Sequence, residues 1–180
     1  MSGTATRCVI ALGSNLGDRL ANLRAAIAGL ERAGGVDVVA VSRLYETSPV
    51  GGPDDQGPYY NAALLAETSL DASDLLALLH RVEADRERRR VVHWGPRTLD
   101  LDLLLYGDMI SDDPALELPH PRQHLRRFVL VPVDDVAPDV VHPRLGVTMR
   151  ELLAALPVEP GDLTPIADTW YTVNEASVVA

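Results

Sequence analysis

The chain contains no lysine: all 16 of its basic residues are arginine, against 26 acidic ones, for a net charge of -10. No lysine is therefore available for a P-loop, a Schiff base or a kinase-type phosphate contact, and any phosphate binding has to come from arginine forks, backbone amides or metals. Cysteine is nearly absent too. Cys8, the one present, has no partner for an internal disulfide and sits in an apolar β-like run, as a core thiol in a reducing cytoplasm would. No run approaches the 18 or so apolar residues of a membrane span, and the N-terminal MSGTATRCVIALGSN has neither the basic region nor the apolar core of a secretory signal. The expected location is the cytoplasm. The negative charge argues against general nucleic-acid or anionic-membrane binding.

What is present is 180 residues, 47% of them hydrophobic, enough for one domain with a sizeable core. The arginines are unevenly placed. Arg86, Arg88, Arg89, Arg90 and Arg97 form one cluster, and Arg122, Arg126 and Arg127 a second. Two cationic clusters in an acidic chain suggest a small polyanionic ligand.

Along the chain, Arg7–Leu12 reads as a buried strand. A helix follows, capped by Asn15 or Asp18, with Leu16, Leu20, Leu23, Ile27 and Leu30 at helical spacing, and Gly34-Gly35 ends it. Val36–Tyr45 reads as one strand with Val39, Val41 and Arg43 on one side. A Gly/Pro-rich loop over 48–58 separates it from a strand over Tyr59–Thr68. Ser69–Asp74 offers caps for a helix carrying Leu75, Leu78, Leu79 and Val82. A last strand lies within Trp94–Gly107. The order β-α-β-β-α-β is that of the ferredoxin-like class of α/β (α+β) folds, a mostly antiparallel sheet with helices on one face. A helix over 148–156 is expected beyond it. The domain is placed at residues 1–156, with 157–180 as a C-terminal extension of weak periodicity and partial disorder.

The most informative stretch is WGPRTLDLDLLLYG, Trp94–Gly107. Side chains alternate across a strand, so Asp100 and Asp102 share one face about 6–7 Å apart, and Leu99, Leu101, Leu103 and Leu105 share the other. A carboxylate pair on an otherwise apolar strand calls for counter-charge, and Mg²⁺ is the usual one. The plainer alternative is an edge strand with two solvated aspartates. Tyr59 and Asn61, two residues apart on one strand face, offer a stacking ring and a carboxamide to a planar heterocycle, although an ordinary strand tyrosine and turn asparagine would look the same. His120 lies between two prolines in LPHP and is equally readable as a surface histidine. The Gly13–Arg19 turn matches no nucleotide fingerprint and reads as capping.

Taken together, GSNLGDR, YETSPVG, QGPYYNAA, WGPRTLDLDLLLYG, LPHP and RRFVLVPV, in this order and spacing, resemble the 6-hydroxymethyl-7,8-dihydropterin pyrophosphokinases of folate biosynthesis. The resemblance spans about residues 7–156. It implies transfer of the β,γ-pyrophosphoryl group of ATP to the pterin hydroxymethyl oxygen with release of AMP, by a cytoplasmic, usually monomeric enzyme that uses two Mg²⁺ and binds neither nucleic acid nor membrane. By the same resemblance Asp100 and Asp102 hold the metals. Arg88, Arg90 and Trp94 belong to a loop that closes over ATP, with Arg97 a neighbouring phosphate contact. These six residues form the catalytic set. Glu83, Leu103, His120 and Arg126 join Arg90, Trp94 and Arg97 around ATP. Thr47, Ser48, Val50, Tyr59, Asn61, Asp100 and Phe128 surround the pterin. The chain departs from the family pattern in four places: Ser48 for proline, Glu87 for glycine, Val91-Val92-His93 for a more basic run and Glu117 for threonine. None of them touches the metal ligands. The rival reading, another Mg²⁺-dependent nucleotidyl or phosphohydrolase enzyme using Asp-x-Asp, leaves Tyr59, Asn61 and Phe128 without a purpose.

Overall fold

The computed structural model describes residues 5–49, 56–86, 98–159 and 162–173. Strand β1 (Thr6–Ser14) leads to helix α1 (Arg19–Ala33), strands β2 (Val36–Val41), β3 (Leu44–Thr47) and β4 (Tyr59–Thr68), helix α2 (Ala72–Arg86) and strand β5 (Asp100–Tyr106). The short hairpin β6 (Ser111–Asp113) and β7 (Leu116–Leu118) follows, then helices α3 (Arg127–Val136) and α4 (Met149–Ala155) and strand β8 (Thr164–Ala167). The main sheet runs β5-β1-β4-β3-β8, with β2 also paired to β4. Every pairing in it is antiparallel. With β2 and β3 as successive parts of one strand, this is the ferredoxin-like order expected from the β-α-β-β-α-β pattern.

Capping chemistry sets the helix ends. The Asp18 carboxylate accepts from the Ala21 amide at 3.0 Å and starts α1, and Gly34, at a φ of +77°, ends it. Leu16, expected inside this helix, lies before it and is 45% exposed, because the cap falls at Asp18. Leu23, Ile27 and Leu30 of α1 pack with Leu75, Leu79 and Val82 of α2 on one sheet face. Cys8 is buried in this core, and burial pushes its thiol up to about 12, so it stays protonated and inert.

Three expectations need correction. The strand expected over Val36–Tyr45 is broken at Ser42, whose backbone N–H donates to the Ala63 carbonyl while its hydroxyl accepts from the Ala63 amide, so that side chain and backbone both spend themselves on β4. Val36 and Val38 face the core and Val39 is exposed; the register shift between Val38 and Ala40 brings Val41 onto the same core, and Arg43 turns out to meet Asp135 on α3. On β5, Leu105 does not share a face with Leu101 and Leu103. Val9 pairs with Leu105 and Ile10 with Leu103, so Leu104 is the extra residue of a bulge and Leu105 swings to the opposite side. That opposite side is not bare. Val9, Ala63, Leu104 and Leu105 pack there against Leu130 and Val133 of α3 and Met149 of α4, so helices cover both faces of the sheet.

Within 157–180, β8 pairs with β3 and Trp170 is 5% exposed, its indole donating to the Ser42 carbonyl at 2.8 Å. Trp170→Ala should therefore cost about 3–5 kcal/mol, read as a lower urea midpoint at unchanged slope. Behind α3, His142 is buried with its ring 5.9 Å from that of His124. Burial, then the neighbouring His124, lowers its pKa from 6.5. Below about pH 6.5 the unfolded chain takes up a proton that the folded imidazole resists, so this contribution to stability is complete above that pH and falls away as pH drops. The loss of urea midpoint between about pH 7.5 and about pH 5.5 should accordingly be smaller in His142→Gln.

Candidate active site

The site grows out of β1, the middle strand of three. Gly13 pairs with Asn61 of β4 on one side and with Asp100 of β5 on the other. One step along the same face, Ala11 lies between Ala63 and Asp102. These two rows leave a floor of backbone and methyl groups between the carboxamide and the acid pair. An ideal Cβ on Gly13 would stand 3.4 Å from Asn61 Oδ1, 3.7 Å from Tyr59 Cδ1 and 4.0 Å from Asp100 Cβ, so the glycine is the point where all three converge. Where α3 and α4 stop covering this sheet face, a cleft of about 410 Å³ opens above the floor.

Nine of the expected site residues line that one cleft. Thr47, Ser48, Tyr59, Asn61 and Phe128 are joined there by Asp100, Asp102, His120 and Arg126. The Asn61 carboxamide is buried and donates to the Thr47 hydroxyl at 2.6 Å, which fixes its orientation before any ligand arrives. The Arg126 guanidinium stands 5.5 Å from the centroid of the Phe128 ring. His120 is held by its own backbone, its N–H on the Leu104 carbonyl at 3.0 Å and its Nδ1 accepting from the Arg122 amide at 3.3 Å. With Nδ1 occupied as acceptor, the neutral ring carries its proton on Nε2, which lies 4.0 Å from Asp102 Oδ1.

Leu103 and Glu83 stand elsewhere. Leu103 lines a second, smaller depression of about 210 Å³ with Leu76, His80 and Glu117, and Asp102 and His120 border both spaces. Glu83 is buried on α2 and its Oε1 accepts from the Leu101 amide at 2.7 Å, locking the strand from behind between the two aspartates. Val50, Arg88, Arg90, Trp94 and Arg97 lie outside the described residues. Arg122, of the second arginine cluster, also lines the cleft, while the sequence reading missed Gln56 and Gln123 there and His80 beside it. Gln123 is fully buried and donates from Nε2 to the Leu104 carbonyl at 3.1 Å. His80 had a signal, since it precedes Glu83 by one helical turn.

Among the described residues no group of three or more His, Cys, Asp or Glu is placed to hold a metal. Two carboxylates on one strand face are nevertheless the protein share that Mg²⁺ usually takes, the rest being water and substrate phosphate. The all-oxygen chemistry of Asp100 and Asp102 fits that ion.

The sequence of residues 9–138 matches the family of 7,8-dihydro-6-hydroxymethylpterin-pyrophosphokinases (HPPK). The chain belongs to this family. It is 44% identical over 153 residues to the 2-amino-4-hydroxy-6-hydroxymethyldihydropteridine pyrophosphokinase of Pseudomonas aeruginosa, covering 85% of this chain and 93% of that one. It is 45% identical over 131 residues to the Bacillus subtilis protein of the same name, covering 73% and 78%. Among solved structures, wild-type Plasmodium falciparum HPPK-DHPS with pterin and p-hydroxybenzoate superposes with a TM-score of 0.67 at 17% identity, which speaks for the fold alone. That match covers 85% of this chain but only 43% of the longer Plasmodium chain.

Proposed function

We propose that the cleft is where this chain moves the β,γ-pyrophosphoryl group of ATP onto the hydroxymethyl oxygen of 6-hydroxymethyl-7,8-dihydropterin, giving AMP and the pterin diphosphate for folate biosynthesis. The observation that carries the assignment is the row Asn61–Gly13–Asp100, which sets a heterocycle-reading carboxamide and an acid pair on opposite sides of one bare strand.

On the pterin side, Tyr59 and Phe128 take the two faces of the ring and Asn61, held by Thr47, reads its edge, with Ser48 and Val50 completing the pocket. The hydroxymethyl group then reaches across Gly13 toward Asp100. On the nucleotide side, Leu103 belongs to the depression that Asp102 and His120 share with the main cleft, and Glu83 supports that strand from behind through the Leu101 amide. Arg126 neutralises phosphate oxygens, together with Arg88, Arg90 and Arg97, His120 offers them a hydrogen bond from Nε2, and Trp94 covers the nucleotide. Asp100 and Asp102 would hold two Mg²⁺ delivered with ATP, which when bound supply charge neutralisation and polarise the β-phosphoryl group. In the reaction the hydroxymethyl oxygen bonds to Pβ and loses its proton to solvent as the bond from Pβ to the oxygen bridging Pα and Pβ breaks, and that oxygen leaves on AMP. Such transfer is governed by positioning and charge rather than by covalent help from the protein. The rigid floor, the pre-oriented Asn61 and the single tautomer of His120 supply the positioning.

We also propose a monomer working in the cytoplasm; no helix among the described residues is long and apolar enough to cross a membrane. Product analysis tests the reaction. AMP should accumulate only when ATP, Mg²⁺ and the hydroxymethyl-dihydropterin are all present, in equal amount to pterin diphosphate. ADP or inorganic phosphate as the main product would point to another phosphotransfer chemistry.

A further inference from the structure

The Gly13–Arg19 turn needs only Asp18 to cap α1, yet the residues on either side of that cap reach across to the loop that carries half of the pterin pocket. Arg19 donates from Nη1 to Glu46 Oε2 at 2.9 Å and to the Pro58 carbonyl at 2.8 Å. Its guanidinium carbon lies 3.8 Å from the centroid of the Tyr60 ring. Glu46 comes one residue before Thr47, and Pro58 one before Tyr59. Across β3 and β4, Glu46 pairs with Tyr60 and Thr47 with Tyr59. By strand alternation Glu46 and Tyr60 face α1, while Thr47 and Tyr59 face the cleft. One guanidinium thus grips, from behind the sheet, both strands where they part. The side chains of Arg19 and Glu46 are 23% and 34% exposed, so the ion pair is partly sheltered from solvent screening. Asn15 adds a second fastening, its Nδ2 donating to Gln56 Oε1 at 3.2 Å and to the Gly57 carbonyl at 3.3 Å.

We propose that Arg19 is a positioning residue of the pterin pocket, setting Thr47 and Tyr59 on the cleft face before the pterin arrives. This rests on the reading of the cleft as the pterin site. The planar fork matters as well as the charge, because one side chain has to satisfy a carboxylate, a carbonyl and a ring face together. Among the described residues, the metal and nucleotide side on β5 makes none of the contacts of Arg19. The clamp therefore separates the two substrates in a way that general loosening of the fold does not.

The test is calorimetric titration of the full chain with 6-hydroxymethylpterin and, separately, with α,β-methylene ATP and Mg²⁺, alongside kcat at saturation. Arg19→Ala should raise the pterin Kd about tenfold, with the ATP-analogue Kd within about twofold and kcat within about threefold. Arg19→Lys and Glu46→Gln each keep part of the clamp and should fall between that variant and the unaltered chain; they carry the test if Arg19→Ala does not fold. An unchanged pterin Kd in these variants overturns the proposal, as does a parallel loss of affinity for both ligands. If the unaltered chain binds ATP analogue but no pterin, the reading of the cleft fails first, and the role of Arg19 with it.

Discussion

Asp102→Asn, and separately Asp100→Asn, should reduce pyrophosphoryl transfer by about 10³-fold while leaving the thermal midpoint close to that of the unaltered chain. The amide keeps the shape of the carboxylate but loses its charge, and with it the strong attraction for a divalent cation. Charge stabilisation by a bound metal contributes several kcal/mol to such a transition state, and about 4 kcal/mol corresponds to about a thousandfold in rate. Both side chains point into the open cleft, so folding does not depend on them as it does on Leu101 and Leu103 beside them. AMP release at saturating ATP and pterin, followed together with a melting curve, separates chemistry from stability. Turnover within tenfold of normal in both variants would remove the pair from the reaction.

Asn61→Ala should have the next largest effect, and on one substrate only. Its carboxamide is buried and oriented by Thr47, so truncation leaves the pterin edge and the Thr47 hydroxyl both short of a partner in a place that water reaches poorly. An unmet buried polar group costs about 1–3 kcal/mol, or roughly 5- to 150-fold in pterin affinity, with α,β-methylene ATP affinity nearly unchanged. Tyr59→Ala should fall in the same direction by losing a stacking surface. Equal losses for both ligands in calorimetry would show that Asn61 holds up the sheet rather than reads the pterin.

The aspartate pair was legible because period-two alternation on a leucine-rich strand is a strong local signal, and it put Asp100 and Asp102 on one face without reference to the rest of the fold. The β-α-β-β-α-β order was legible for the same reason. What escaped depends on contacts between distant segments. The bulge that turns Leu105 away is a property of the pairing of β1 with β5. The break at Ser42 exists because its hydroxyl competes with the backbone for Ala63. The run RFVLVPV, valine-rich and holding Pro132, has the composition of a strand; it is the helix α3 because Leu130 and Val133 find Leu104, Leu105 and Met149 to pack against. Trp170 and β8 likewise acquire their places from β3 and Ser42, and nothing local announces them. In the cleft, the motif-bearing residues were visible, whereas the work of Arg19 and Gln123 is set by partners many residues away.

The row through Gly13 has a bearing on how this site fails. From Asn61 to Asp100 is two strand spacings, about 10 Å, and the span is fixed by the hydrogen-bond ladder rather than by any side-chain rotamer. The sheet serves as a ruler between the two half-sites, and a ruler of this kind does not stretch by degrees: the ladder is either intact or broken. Heating, denaturant or a distant core substitution should leave the catalytic distance of the surviving molecules untouched and reduce only their number. Activity lost under stress would then track the population of folded chains, with KM values constant until the sheet itself comes apart.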